Sequence, residues 1–326
     1  MENEDLFESR VDLTEVANTF NNIQTEINKV VLGQQKIVEQ LSIALLCEGH
    51  VLIEGLPGVA KTLTAKCLAK TVDSDFSRIQ FTPDLMPSDV IGTMIYNPKT
   101  NEFSFKQGPI HSNVVLIDEI NRAPAKTQAA LFECMEEKQV TIDGITHELG
   151  SPFIVIGTQN PVDHEGTYRL PEAQLDRFMF KLQVDYPTLE HEQNILELHQ
   201  NIGRRLDLIG IKKIINLEKL RSIQKTISQV KVKPEILAYI AAIIHETRNN
   251  PNIYLGASPR ASLCLLQTSK ALAAISGRDF VTPDDVKEMV TPVVNHRIVL
   301  NPEKEMEGMT NHSALKYIVD NIAVPS

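Results

Sequence analysis

Val51-Leu52-Ile53-Glu54-Gly55-Leu56-Pro57-Gly58-Val59-Ala60-Lys61-Thr62 is the stretch that decides the fold. An apolar run ends in glycine, a loop of turn-forming residues follows, and Lys-Thr opens a helical pattern. Gly55 to Thr62 fits the phosphate-binding pattern G-x-x-x-x-G-K-[ST], except that Ala60 stands in place of the second glycine. A strand end, exposed backbone N–H groups and a helix start together make an anion cradle. In such a loop Lys61 is expected to reach the β- and γ-phosphates, and the Thr62 hydroxyl to hold Mg²⁺. Gly55, Pro57, Gly58, Val59, Ala60 and Leu63 are expected to line the same nucleotide. Alanine adds one methyl and tolerates a helix N-terminus, so the cradle should survive the Ala60 departure.

Further along, Val114-Val115-Leu116-Ile117-Asp118-Glu119 is a buried strand pattern ending in two acids. At the carboxyl end of a parallel strand Asp118 would lie beside the loop and share the metal with Thr62. Glu119 would then polarise a water for in-line attack on the γ-phosphate. The next apolar run ends Ile156-Gly157-Thr158-Gln159-Asn160-Pro161. Asn160 reads either as an amide that orients the attacking water or as a turn residue before proline. Arg177, in Leu170-Pro171-Glu172-Ala173-Gln174-Leu175-Asp176-Arg177-Phe178, reads either as a surface partner of Asp176 or Glu172, or as a cation supplied to a neighbouring subunit's γ-phosphate. Arg260 falls in the first turn of a helix opened by Ser258-Pro259, where the helix dipole disfavours a cation. An anion nearby would explain it, and ATP is the obvious one.

Around these motifs the chain alternates short apolar runs with helical periodicity, which predicts an α/β fold with a parallel sheet. Strands are expected at 51–54, 77–81, 114–117, 153–158 and 178–184, with helices at 62–72, 88–91 and 125–137. Two helices precede the loop. Residues 93–106 and 139–149 read as β-hairpins inserted outside the sheet, the second turning at Asp143-Gly144. After Asp185-Tyr186-Pro187 no strand pattern is evident, and helices capped at Pro234, Ser258-Pro259 and Thr282-Pro283 follow one another. The expected organisation is a core over 1–187 and a helical domain over 188–326.

The chain has 326 residues, a formal net charge of −10, 42% hydrophobic and 23% charged residues. These are the proportions of a soluble globular protein. An acidic balance argues against a general nucleic-acid surface. No apolar run is long enough to span a membrane, and the acidic start is the opposite of a signal peptide. The four cysteines form no C-x-x-C pair, as expected for buried reduced thiols in a cytoplasmic protein.

These segments, in this order, resemble AAA+ ATPases, and within them the MoxR family, from about Ile27 to the C-terminus. Asn121-Arg122-Ala123 and the string Leu170–Phe178 are particularly MoxR-like, and Ala60 fits that family too. The resemblance implies an AAA+ αβα core with a helical lid, and makes Gly55–Thr62 Walker A and Asp118-Glu119 Walker B. It makes Asn160 sensor 1, Arg177 the arginine finger and Arg260 sensor 2, and it places Gly33-Gln34 near the adenine. It further implies ATP/ADP and Mg²⁺ as cofactors, a hexameric ring with ATP at each interface, and chaperone-like remodelling of protein substrates. Proteins carrying von Willebrand factor A domains are the implied partner class. The alternatives are a nucleic-acid motor or helicase loader, against which the acidic charge stands, and a small-molecule kinase or GTPase, which would leave Arg177 and Arg260 without a reason.

Overall fold

The apolar runs become strands and the periodic stretches become helices, in a computed structural model that describes residues 11–56, 58–160, 168, 170–202 and 210–325. In chain order the first part runs α1 (Thr14–Asn28), α2 (Gln35–Leu46), β1 (Val51–Gly55), α3 (Lys61–Thr71), β2 (Phe76–Gln80), α4 (Pro87–Ile91), β3 (Gly92–Asn97), β4 (Glu102–Gln107), β5 (Val114–Asp118), α5 (Ala125–Glu137), β6 (Gln139–Ile142), β7 (Ile145–Glu148), β8 (Ile154–Gln159), α6 (Glu172–Leu175), β9 (Phe180–Val184) and α7 (Leu189–Ile202). The second part runs α8 (Leu217–Ser228), α9 (Pro234–Asn249), β10 (Ile253–Leu255), α10 (Pro259–Ile275), α11 (Pro283–Val294), β11 (Val299–Leu300), α12 (Pro302–Met306) and α13 (Asn311–Asn321).

Five strands form one parallel sheet in the order β2-β5-β8-β1-β9. Every residue of β5 is buried, as a strand covered on both faces requires. The register pairs Ile117 with Gly157 and Ile53 with Thr158. The carboxyl ends of β5, β8 and β1 therefore finish in line, and the loop leaves the sheet at that edge. Phe81, Phe153 and Phe178 fill the space between sheet and helices. His50, just ahead of β1, bolts three elements together. Its Nδ1 accepts from Val155 N at 3.0 Å and its Nε2 donates to Met135 O at 3.0 Å. The donor on Val155 leaves only Nδ1 as acceptor, so the proton sits on Nε2.

The hairpins β3–β4 and β6–β7 are separate two-stranded sheets. Asp143 and Gly144 both have positive φ, 50° and 79°, the geometry of the tight turn that Asp-Gly favours. Phe105 of β4 stacks on His147 of β7 with ring centroids 4.3 Å apart, joining the two hairpins. Tyr96, Phe103 and Ile145 remain exposed on them.

The chain forms two compact units: one is Ile23–Leu217, the other joins the segment ending at Asn22 to everything from Glu218 on. Helix α7 packs with the sheet unit, so the break by compactness falls at 217/218, beyond the compositional change at 187/188. In the second unit the expected caps are present: Ser258 Oγ accepts from Arg260 N, and Thr282 and Asp285 form a capping box. The expectation of no strands after Pro187 is corrected by β10 and β11, an antiparallel pair with a register shift between Ile253 and Leu255. Three and two residues are too few to show a period. Among the described residues no helix is long and apolar enough to cross a membrane.

Candidate functional site

The phosphate loop forms where β1 ends. Gly58 has φ +88° and Ala60 has φ +59°, so the chain makes two left-handed turns before α3 begins at Lys61. The backbone at Ala60 is thus not helical, and its methyl carries a strain of roughly 1–2 kcal/mol that glycine would avoid. Lys61 Nζ folds back and donates to Gly55 O at 2.5 Å. Burial pulls the Lys61 ammonium below its ordinary range, while Asp118, Glu119 and Glu54 push it back up. Thr62 and Leu63 follow half-buried in the first turn of α3. Pro57 lies outside the described residues.

Gln34, at the start of α2, donates Nε2 to Val59 O at 2.8 Å, so the Gly33-Gln34 segment is tied to the loop. Gly33 has φ +77°, and a Cβ there would stand 2.8 Å from His191 Cγ of α7. Both the left-handed backbone and the lack of space require glycine. Beside these residues is a cavity of about 310 Å³. Val30, Val31 and Leu32 form one wall, Val59, Ala60 and Leu63 another, and Pro187, Ile195 and Leu198 the third. His191, Ile195 and Leu198 share one face of α7. An apolar slot of this size with one amide side chain suits a flat heterocyclic base.

The acids end β5, one strand removed from β1, at the same edge of the sheet as the loop. Asp118 is 8% exposed. Its Oδ1 accepts from Thr158 Oγ1 at 3.2 Å and its Oδ2 from Arg78 Nε at 2.6 Å. Glu119 follows with φ 56° and ψ 52°, a left-handed conformation that costs a β-carbon residue about 1–2 kcal/mol and is typical of functional sites. Its backbone N donates to Thr158 Oγ1 at 3.1 Å. Its Oε2 accepts from Gln80 Nε2 at 2.9 Å and from Arg122 Nη1 at 2.8 Å. Asn160 comes directly after β8, half-buried, on the strand next to β5.

The sheet unit therefore brings together Gly33, Gln34, the loop, Lys61, Asp118 and Glu119. Arg177 is also in this unit and reaches helix α5. Its Nη1 donates to Phe132 O at 2.7 Å and meets Glu136 Oε2 at 2.6 Å, both on α5. Arg260 belongs to the other unit, half-buried in the first turn of α10. Sequence reasoning missed Arg78, Gln80 and Thr158 as partners of the acids, and α7 as a wall of the cavity. Arg78 and Gln80 stand at alternate positions of β2, on one face of the strand, but which strand they would face is not local information.

A carboxylate and a hydroxyl are hard oxygen donors, which suit Mg²⁺ held largely by substrate phosphates and water. Among the described residues there is no cluster of three or more His, Cys, Asp or Glu side chains that could cage a metal alone. Comparison with known proteins agrees with the motifs. Residues 50–180 match the profile of the ATPase family associated with various cellular activities, and residues 245–318 match an AAA lid domain. The Mycobacterium tuberculosis chaperone MoxR1 is 41% identical over 92% of this chain and 81% of its own length. Bacillus subtilis YeaC is 45% identical over 92% of both chains. A crystal structure of a Cytophaga hutchinsonii protein superposes with a TM-score of 0.89 at 42% identity, covering 96% of this chain and 97% of that one.

Proposed function

This chain belongs to the MoxR family of AAA+ ATPases, and we propose that it is an Mg²⁺-dependent ATP hydrolase that works as a hexameric ring to remodel or mature partner proteins. One observation carries the reading: Lys61, Asp118 and Glu119 converge at the aligned carboxyl ends of β1, β5 and β8, beside an apolar slot of base size. Lys61 would exchange its bond to Gly55 O for the β- and γ-phosphates. Thr62 and Asp118 would hold Mg²⁺, which offsets charge on the phosphates. Glu119 would take the proton of the attacking water, and Asn160 would orient that water. The products are ADP and inorganic phosphate. Gly33, Gln34 and the loop residues Gly55 to Leu63 would seat the base and phosphates.

In this reading Arg177 leaves Glu136 to serve as an arginine finger for the next subunit, and Arg260 senses the γ-phosphate from the lid. A contact of this head-to-tail kind closes into a ring by rotation. The exposed Tyr96, Phe103 and Ile145 on the hairpins support a role in gripping protein. The name of the MoxR1 relative, a chaperone, supports the same substrate class. A von Willebrand factor A domain is the partner module we would look for, in the cytoplasm. The test is ATP turnover with Mg²⁺ or with EDTA, together with molecular mass in solution with and without ATP. Mg²⁺-dependent turnover and an ATP-dependent ring of about six copies are expected. A monomer that hydrolyses ATP at full rate, or turnover that rises sharply with DNA, would overturn the proposal.

A further inference from the structure

Asp118 already holds a cation of the protein itself. Both oxygens of this buried carboxylate are engaged, Oδ1 by Thr158 and Oδ2 by the Arg78 guanidinium at 2.6 Å. The two donors differ in how firmly they are placed. Thr158 is buried in β8, in the middle of the sheet. Arg78 stands on β2, the edge strand, with half of its side chain exposed. It can therefore leave Asp118 for water without disturbing the core. Its charge-assisted bond is stronger than a neutral one, yet solvent screens a half-exposed pair.

We propose that Arg78 is a resident counter-ion of Asp118, displaced when Mg²⁺ arrives with the nucleotide, and that it thereby sets the Mg²⁺ concentration at which the site loads. The inference rests on the reading of Asp118 as an Mg²⁺-holding residue. Arg78 is a positioning residue in this scheme. While the metal is away it keeps a buried carboxylate paired, since an unpaired one would be costly. When the metal arrives, Arg78 competes with it for one oxygen and lies close enough for like charges to repel. Thr158 keeps its hold on Oδ1 throughout, so the carboxylate retains its orientation during the exchange.

The experiment measures binding of a fluorescent ADP analogue in EDTA and along an Mg²⁺ titration. Parent, Arg78→Met, Arg78→Gln and Arg78→Lys chains are compared, with Asp118→Asn and the Arg78→Met/Asp118→Asn double variant completing a cycle. Removing the charge is expected to lower the Mg²⁺ midpoint about tenfold, the low end for a hydrogen bond to a charged group. Arg78→Lys, which keeps the charge, should stay near the parent. Affinity in EDTA should be unchanged by Arg78→Met or Arg78→Gln, and Arg78→Met should have no effect on the midpoint once Asp118 is asparagine. A midpoint that stays or rises when the charge is removed overturns the proposal. So does a loss of affinity in EDTA in both neutral variants, which would make Arg78 a phosphate ligand, or an equal shift in the Asp118→Asn background. A parent chain whose nucleotide binding ignores Mg²⁺ would instead sink the reading of Asp118 itself.

Discussion

Lowering the pH from 7 to 4 should weaken the sheet unit, in large part through His50. Its ring is buried, and burial lowers its pKa from the ordinary 6.5 to about 4. The geometry agrees, because Nδ1 already accepts from Val155 N. A proton there would break that bond and set two donors against each other. Above pH 6.5 the ring is neutral both folded and unfolded, and its contribution is fully present. As pH falls through the window from 6.5 to about 4, the unfolded chain takes up a proton that the folded chain refuses, and stability is lost. A pKa lowered by one corresponds to about 1.4 kcal/mol, so the loss reaches roughly 3 kcal/mol near pH 4 and then levels off. Urea unfolding from pH 7.5 to 4, parent against His50→Gln, measures it. Glutamine keeps a donor and an acceptor without titrating in this range. The difference in unfolding free energy between the two chains should shrink by roughly that amount on acidification. If both chains lose stability in parallel, the ring is not held neutral by its surroundings and the reasoning is refuted.

Other outcomes follow from single contacts. Gly33→Ala meets both a left-handed backbone and the His191 ring, and should cost about 2–4 kcal/mol and weaken nucleotide binding; adding His191→Ala should recover the steric part only, as read by melting temperature and ADP affinity. Ala60→Gly relieves a left-handed alanine, offset in part by the freer unfolded chain, and should change stability by no more than about 1 kcal/mol while leaving ATP affinity intact. Lys61→Ala removes a charge-assisted phosphate contact and should weaken ATP binding at least about tenfold by calorimetry; unchanged affinity would place the nucleotide elsewhere.

Much of the site is legible without a structure because its parts are local. The phosphate loop, the acids at the end of an apolar run and the Asp143-Gly144 turn each declare themselves within a few residues. Five of the strands and the caps at Ser258 and Thr282 are legible for the same reason. What escapes depends on neighbours in space. Arg78 and Gln80 reach Asp118 and Glu119 only because β2 lies beside β5, and strand order is not written in either strand. The wall made by Ile195 and Leu198 requires knowing that α7 folds back onto the segment around Val30. Ala60 looks compatible with a helix N-terminus, whereas the loop needs one more left-handed residue before α3 can start. The pairing of Arg177 with Glu136 crosses 41 positions of chain, far beyond the adjacent acids that a local reading considers.

In the proposed mechanism Glu119 activates water at a site that Lys61, Thr62 and Asp118 form for Mg²⁺-bound ATP. Glu119→Gln keeps the shape and removes the base. Measured with saturating Mg²⁺, this variant should bind ATP within about threefold of the parent, since binding and turnover use different groups. Its turnover should fall at least about a hundredfold, the usual contribution of a general base. A Glu119→Gln chain that hydrolysed ATP at the parent's rate would rule out Glu119 as the base.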